Sequence, residues 1–383
     1  MGPAWLDPRT AYIHVPFCAH QCGYCDFAVA AGQDHLIELY LDALERELAG
    51  LGEPRPVETL FIGGGTPTHL SSKQLERLLG LIQRWLPLEG PVPEYSIEST
   101  PESWDAEKAQ LLASFGLNRA SIGVQSFHPH LLTALDRRHT VEHIPRAVEA
   151  IRSSISSLSF DLIFAAPGSS PESWAADLDA ALSFGPQHIS TYGLTYEKGT
   201  SLWKARERGQ VAPLDEEKEL AMYEHSMDRL AAAGFEHYEI SNFARPGFRC
   251  RHNERYWANE AYYGFGVGAA RYADGVRELN TRDTKLYIRK LLAGESPTFQ
   301  SERLAPRDRA FETIATQLRR AEGINRTRFA EQTGFALDEL IGDRVGPLVA
   351  EGILLDAADG IRLTRRGKCV ADAVVADLMK ANR

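Results

Sequence analysis

Three of the chain's five cysteines, Cys18, Cys22 and Cys25, fall within eight residues of one another in the spacing C-x3-C-x2-C. Thiolates clustered in this way are metal ligands. A structural zinc ion would take four protein ligands, and His14, His20 and the distant Cys250 are the candidates for a fourth. An iron–sulfur cubane is likewise normally held by four thiolates. Three thiolates on a short loop would leave one iron open, and an open iron can chelate a molecule carrying an amine beside a carboxylate. S-adenosylmethionine (SAM) is such a molecule, and reduction of the cluster would split its sulfonium to release a deoxyadenosyl radical. The protein's share of that chemistry is positioning and the exclusion of water.

The elements that must position this loop are readable from periodicity. Strands are expected over residues 12–15, 59–62, 95–98, 119–124, 159–164 and 188–194, and helices over 35–51, 73–86, 106–115, 144–152 and 173–183. Six β-then-α units imply a parallel sheet covered by helices. Six are too few for a closed eight-fold barrel, so the α/β fold expected over residues 1–240 is a partial (β/α)6 barrel with its functional groups at the C-terminal strand ends.

Those ends carry suitable groups. Gly64, Gly65 and Thr66 follow the second strand, where a missing Cβ lets a ligand approach the backbone. Glu98 ends the third strand and can accept from an ammonium or from ribose hydroxyls. Gln125 ends the fourth, Arg137 lies twelve residues on with a planar fork suited to a carboxylate, and Asp161 sits in the fifth. Each alone reads equally well as a turn, a helix cap or a satisfied polar group. Residues 241–300 read as a loop-rich extension rather than another β/α unit. Residues 301–383 read as a small winged-helix-like domain, with three helices, a hairpin turning at Asp359-Gly360 and a final helix.

The balance of 42 Lys+Arg against 52 Asp+Glu, a formal charge of −10, argues against nucleic acid as a partner. The segment 306–383 carries only +1 and is expected to face a protein or act as a lid rather than bind DNA. No apolar run of 18 residues occurs, which argues against a spanning helix, and residues 1–9 lack the apolar stretch of a secretory signal. An odd, sparse set of cysteines is not a disulfide framework, so a reducing, cytoplasmic setting is expected.

A cysteine loop of this spacing after the first strand of a β/α array resembles the signature of the radical SAM superfamily. The flanking Tyr12-Ile13-His14-Val15-Pro16-Phe17 and Tyr24-Cys25-Asp26-Phe27 resemble its oxygen-independent coproporphyrinogen oxidase group, and the likeness covers nearly the whole chain. The resemblance implies one [4Fe–4S] cluster on Cys18, Cys22 and Cys25. It also implies SAM contacts at Gly64, Gly65, Thr66, Glu98, Gln125, Arg137 and Asp161, with Tyr12 and Tyr24 completing the set. Three places depart from the group's pattern: Thr100 stands for Asn or Asp, Ala165-Ala166 for Gly-Leu, and Ala270-Arg271 for His-Ser.

Within the group, the oxidases resemble C-x3-C-x2-C-x-C, whereas this chain has Phe27 at the last position. His252-Asn253-Glu254-Arg255-Tyr256-Trp257 resembles instead the HNxxYW motif of the heme chaperone branch. That branch implies heme bound at His252 and passed to acceptor hemoproteins, with peripheral membrane contact where those acceptors are respiratory. Tyr256 and Trp257 would offer apolar faces, Arg249 and Arg251 would pair with propionates, and Cys250 is an alternative thiolate ligand. The competing reading is oxidative decarboxylation of coproporphyrinogen III by the same radical chemistry.

Overall fold

The computed structural model describes residues 3–382; Met1, Gly2 and Arg383, the outer ends of the first and last expected domains, lie outside the described residues. Six parallel strands are laid down in sequence order: β1 (Thr10–Val15), β2 (Thr59–Gly64), β3 (Glu94–Ser99), β4 (Arg119–Gln125), β5 (Ser157–Phe164) and β6 (His188–Gly193). Helices follow them on the outer face: α1 (Ile37–Ala49), α2 (Ser72–Trp85), α3 (Ala106–Ser114), α4 (His143–Arg152), α5 (Pro171–Ser183) and α6 (Glu216–Ala232). The partial (β/α)6 barrel is borne out. The sixth helix, α6, is an addition to the five expected.

Local chemistry explains the punctuation. Ser71 and Gln74 form a reciprocal capping box that starts α2, and Leu75, Leu78, Leu79 and Ile82 then recur at helical spacing on its buried face. Ser170 and Ser173 do the same for α5, with Pro171 pre-set in its first turn. Along the strands, alternate residues face opposite sides. Ala11, Ile13, Ile97, Ala120, Ile122, Leu158, Phe160 and Leu162 pack under the helices. Their neighbours Tyr12, Glu98, Arg119, Ser121, Asp161, His188, Ser190 and Tyr192 line the lumen. The barrel therefore has an apolar outside and a polar inside.

The expectation of loops over 241–300 is corrected. Two strands of this stretch, β8 (Asn242–Ala244) and β9 (Tyr263–Gly266), join the same sheet, as does β7 (Glu236–His237) just before it, in the order β9-β1-β2-β3-β4-β5-β6-β8-β7. β9 runs parallel to β1, with Phe265 opposite Ile13, while β8 runs antiparallel to β6. The residues around β9 are rich in glycine because neighbouring backbone crowds in. A Cβ on Gly264 would lie 1.8 Å from the Ala270 carbonyl oxygen, and one on Gly266 would lie 2.3 Å from that of His14. The rest of the stretch adds helix α7 (Arg251–Trp257), a further helix Thr284–Leu292, and a separate antiparallel sheet of Ala270–Ala273, Val276–Asn280 and Thr298–Glu302.

The C-terminal segment has its own core, with Phe311, Ile314, Phe329, Ile341 and Leu378 fully or nearly fully buried. Its sheet orders Ile324–Asn325, Gly360–Leu363 and Leu354–Ala357, and helices Pro306–Gln317, Arg326–Thr333 and Leu337–Ala350 pack on it, as expected of a winged helix. It grips the end of α7. Gln317 and Gln332 donate to the Ala258 carbonyl at 3.0 and 3.1 Å, and Arg309 donates to that of Asn259 at 3.1 Å.

Gly266 combines a left-handed φ of +100° with the close approach of His14. Replacing it with Ala should cost about 2–5 kcal/mol, the sum of overpacking against a carbonyl and a left-handed conformation at a residue bearing Cβ. Urea unfolding followed by circular dichroism measures this; an unchanged midpoint would mean that β9 is not seated beside β1.

Candidate functional site

The strand ends open on one cavity of about 670 Å3. Its wall includes Cys18, Cys22 and Cys25, and with them Tyr24, Gly64, Gly65, Thr66, Glu98, Gln125, Arg137 and Asp161. The structure thus brings together all but two of the expected site residues. The exceptions are Tyr12 and His252.

The loop is placed by β1 and β2. Phe17–Cys18 pairs with Ala30–Ala31, which folds the intervening residues back over the strand ends. The Gly65 N–H donates to the Val15 carbonyl at 2.8 Å, and the Thr66 N–H to that of Phe17 at 2.7 Å. A Cβ on Gly65 would lie 2.6 Å from the Phe17 oxygen, and one on Gly64 the same distance from the His14 ring. Gly64 and Gly65 therefore serve first to let the cysteine loop dock, and their N–H groups are already committed. The Gly64 N–H donates to Glu98 Oε2 at 2.8 Å.

Cys18 is buried, with Sγ 3.4 Å from Thr66 Oγ1. Burial pushes its thiol up to about 12, against the Thr66 bond, and burial likewise raises Cys25. Arg137 reaches into the loop. Its Nη1 lies 3.4 Å from both Cys22 Sγ and Tyr24 Oη, while Nη2 donates to the Gly123 carbonyl at 2.7 Å. Burial opposes its charge, yet Tyr24 and Cys22 hold the guanidinium firmly protonated. It lowers the cost of forming thiolates beside it.

Gln125 sits at φ +64°, a strained value for a residue bearing Cβ, where the pairing of β4 with β5 skips a residue. The conformation is held from α5: the buried Asp177 accepts from Ser126 Oγ at 2.7 Å and from the Phe127 N–H at 2.6 Å. Asp161 accepts from Ser121 Oγ at 2.9 and 3.0 Å. Burial raises its carboxyl, with hydrogen bonds from Ser190 and Ser121 opposing. Burial also pushes Glu98 up to about 7, the Gly64 N–H pulling back and the Asp161 charge adding to the rise. Ala165 stands at φ +58° with its methyl buried, so the departure from glycine there is tolerated at the expense of strain.

Tyr12 faces a second, smaller chamber in the lumen, together with Phe61, Arg119, His188, Cys250, His252 and Tyr256. Its hydroxyl donates to His14 Nδ1 at 3.1 Å, because His14 Nε2–H is given to the Ala28 carbonyl at 2.8 Å. Both ring nitrogens of His14 are used within the fold. It is not a fourth ligand for the cysteines, and neither is Cys250, which is buried at the opposite end of the barrel against Glu94.

His252 is corrected in position. It lies not in a polar loop but in α7, which plugs the bottom of the lumen, and it is 1% exposed. Glu94, the first residue of β3, accepts the backbone N–H groups of Arg251 and His252 at 2.9 and 3.0 Å, a carboxylate set at a helix N-terminus. The Thr59 hydroxyl donates to Thr10, so His252 Nδ1–H donates to Thr59 Oγ1 at 3.2 Å. Its Nε2 is left with a free lone pair and no hydrogen-bond partner among the described residues, and burial lowers the ring to about 3. The nitrogen has the form of an iron ligand, but the chamber around it is only about 190 Å3, below the roughly 300 Å3 at which ligand pockets begin. A porphyrin does not fit there with α7 in place; a few waters do.

The expected heme neighbours are also engaged elsewhere. Arg249 is paired with Glu236, Glu254 and Glu322, and Arg251 with Glu58. Trp257 lies under the Arg319 guanidinium. None of residues 306–382 lines the cysteine cavity, so the expected lid role of the C-terminal segment is not supported.

A partial barrel that presents a three-cysteine loop at its strand ends is the architecture of a radical SAM protein. Residues 12–181 match the Radical SAM superfamily and residues 304–370 the HemN C-terminal domain. The chain is 36% identical over 371 residues to the heme chaperone HemW of Bacillus subtilis, covering 96% of this chain and 98% of that one. To the heme chaperone HemW of Escherichia coli it is 33% identical over 379 residues, covering 97% and 98%. The solved coproporphyrinogen III oxidase (HemN) from Escherichia coli, a radical SAM enzyme, superposes with a TM-score of 0.85 at 23% identity over 97% of this chain and 90% of that chain, a likeness of fold. The chain belongs to the heme chaperone HemW family.

Radical SAM membership brings a [4Fe–4S] cluster and SAM as cofactors, and the cavity fits them. A mononuclear ion needs its ligands gathered on one point, whereas a four-iron cluster takes one thiolate per iron. Cys18, Cys22 and Cys25, lining one cavity, supply three such thiolates. Tyr192 joins the cysteine cavity, and Arg119 and Ser121 the smaller chamber below it, without having been anticipated; the signal was present as polar residues recurring at every second strand position.

Because Glu98 is held above its ordinary 4.5 in the fold, its stabilisation is complete below pH 4.5 and is lost as pH rises through about 7. Glu98→Gln keeps an acceptor for Gly64 while removing the titration. The wild-type midpoint in denaturant, measured relative to this variant, should fall between pH 4.5 and 7 and be level below. A difference constant across that window would show that the carboxyl titrates normally.

Proposed function

We propose that this protein carries heme and hands it to acceptor hemoproteins, with a [4Fe–4S] cluster on Cys18, Cys22 and Cys25 and SAM at the iron they leave open. The observation that carries this reading is the cysteine cavity of a chain in the heme chaperone family, with Phe27, not a further thiol, on its wall. When bound, the cluster and SAM supply one-electron redox chemistry. The chain's own residues do the rest. Arg137 is set to take the SAM carboxylate while holding Cys22 and Tyr24; Glu98 and Asp161 offer acceptors to the amine and ribose. Gln125, fixed in its strained conformation by Asp177, aims its amide inward, and Thr66 braces Cys18. Tyr24 closes one wall beside the loop.

The five unpaired cysteines support residence in the cytoplasm. No helix among the described residues is long and apolar enough to cross a membrane. Acceptors held in a membrane would then be met by peripheral contact.

Anaerobic reconstitution should load about four irons per chain, lost when all three cysteines become Ala, and heme should then titrate without protoporphyrinogen appearing from coproporphyrinogen III. Robust decarboxylation would overturn the carrier reading in favour of the oxidase. Arg137→Lys, which keeps charge but loses the fork, should retain iron and weaken SAM binding about 10–100-fold. Equal affinity in equilibrium dialysis would remove Arg137 from the SAM site.

A further inference from the structure

The small chamber around His252, about 190 Å3, raises the question of which group meets the iron of a carried heme. The cysteine cavity offers one at its mouth. His69 lines that cavity a few residues beyond the glycine turn of β2. Its Nε2 lies 3.1 Å from both carboxylate oxygens of Asp34. The carboxylate can only accept, so the proton sits on Nε2, and Nδ1 is left with an in-plane lone pair and no hydrogen bond among the described residues. A carboxylate behind one ring nitrogen fixes the tautomer and the ring orientation, the usual arrangement of a histidine that binds metal.

Two further groups share the wall. Phe27 is 60% exposed, an unusual state for a phenyl ring beside a cavity, and it offers a flat apolar face. Arg138 is an exposed cation on the same wall with no ion pair or hydrogen bond among the described residues. An imidazole nitrogen with a free lone pair, an apolar face and an unpaired guanidinium are together what a metalloporphyrin with carboxylate side chains requires. His20 also lines the cavity, with Nε2 3.0 Å from an Asp136 oxygen, but it sits inside the cysteine loop between two expected cluster ligands.

We infer that His69 is the axial ligand of the carried heme, bound through Nδ1 at the mouth of the cysteine cavity, with Phe27 against the macrocycle and Arg138 on a propionate. This rests on the heme-carrying reading. It assigns the iron to a residue outside the HNxxYW motif.

The test is an anaerobic titration of the cluster-loaded, full-length protein with hemin, read by the Soret band and by electron paramagnetic resonance. His69→Ala should weaken binding at least tenfold and lose the nitrogen-ligated signature while keeping its iron content and melting temperature. Added imidazole should restore that signature. Phe27→Ala should weaken binding with the signature intact. The inference is overturned if His69→Ala keeps both affinity and spectrum, or if His252→Ala or His20→Ala removes the signature while His69→Ala does not. A wild-type protein that takes up no hemin at all would overturn the carrier reading itself, a result distinct from either.

Discussion

Everything at the strand ends depends on one close approach of backbone to backbone. The chain leaving β1 must cross the end of β2 closely enough for Gly65 and Thr66 to donate to the Val15 and Phe17 carbonyls. Any side chain at residue 65 would lie within 2.7 Å of two carbonyl oxygens there. The cysteine loop inherits its position from that crossing, since Cys18 is the next residue after Phe17 and rests on Thr66. The glycine turn is thus not an empty space kept for a ligand. It is occupied by the loop, and what it contributes to the cavity is the location of the sulfurs.

The lumen imposes a second constraint, because alternation in a parallel barrel must put something inside. Here it puts carboxylates, hydroxyls and Arg119. Glu98 and Asp161 are both raised by burial, and the Asp161 charge raises Glu98 further. Arg137 and Arg119 offset this from opposite ends of the barrel, Arg137 among the sulfurs and Arg119 near Phe248 and Ser157. A cationic group is therefore favoured beside these two carboxylates, deep in the cavity, and this agrees with the sulfonium and ammonium of SAM.

Much of this was legible beforehand, and the failures have a common cause. The six strands and their helices follow from local periodicity, and the cysteine loop from spacing that only metal chemistry explains. What local reading could not supply was contact across the sequence. The Gly264–Gly268 run has the composition of a loop, yet Gly264 and Gly266 are small because β1 and Ala270 press against them. His252 stands in a polar stretch, yet those polar neighbours are consumed by Glu58, Glu94, Glu236 and Glu322 from elsewhere. Tyr12, one residue of alternation away from the core, points down the lumen rather than to its mouth because β1 ends three residues later.

The burial of His252 bears on how a motif should be weighed. A histidine with a free lone pair, held neutral by burial and oriented by Thr59, meets the chemical conditions for an iron ligand while failing the spatial one. The same residue meets every condition for a structural plug. It closes the lumen between Phe61 and Tyr256 and anchors the helix whose far end the C-terminal segment grips. Sensitivity of heme binding to substitution at His252 is therefore open to two physical causes, loss of a ligand or loosening of α7 beneath the lumen. Only a probe of the iron's own ligand field separates them, since affinity alone falls in either case.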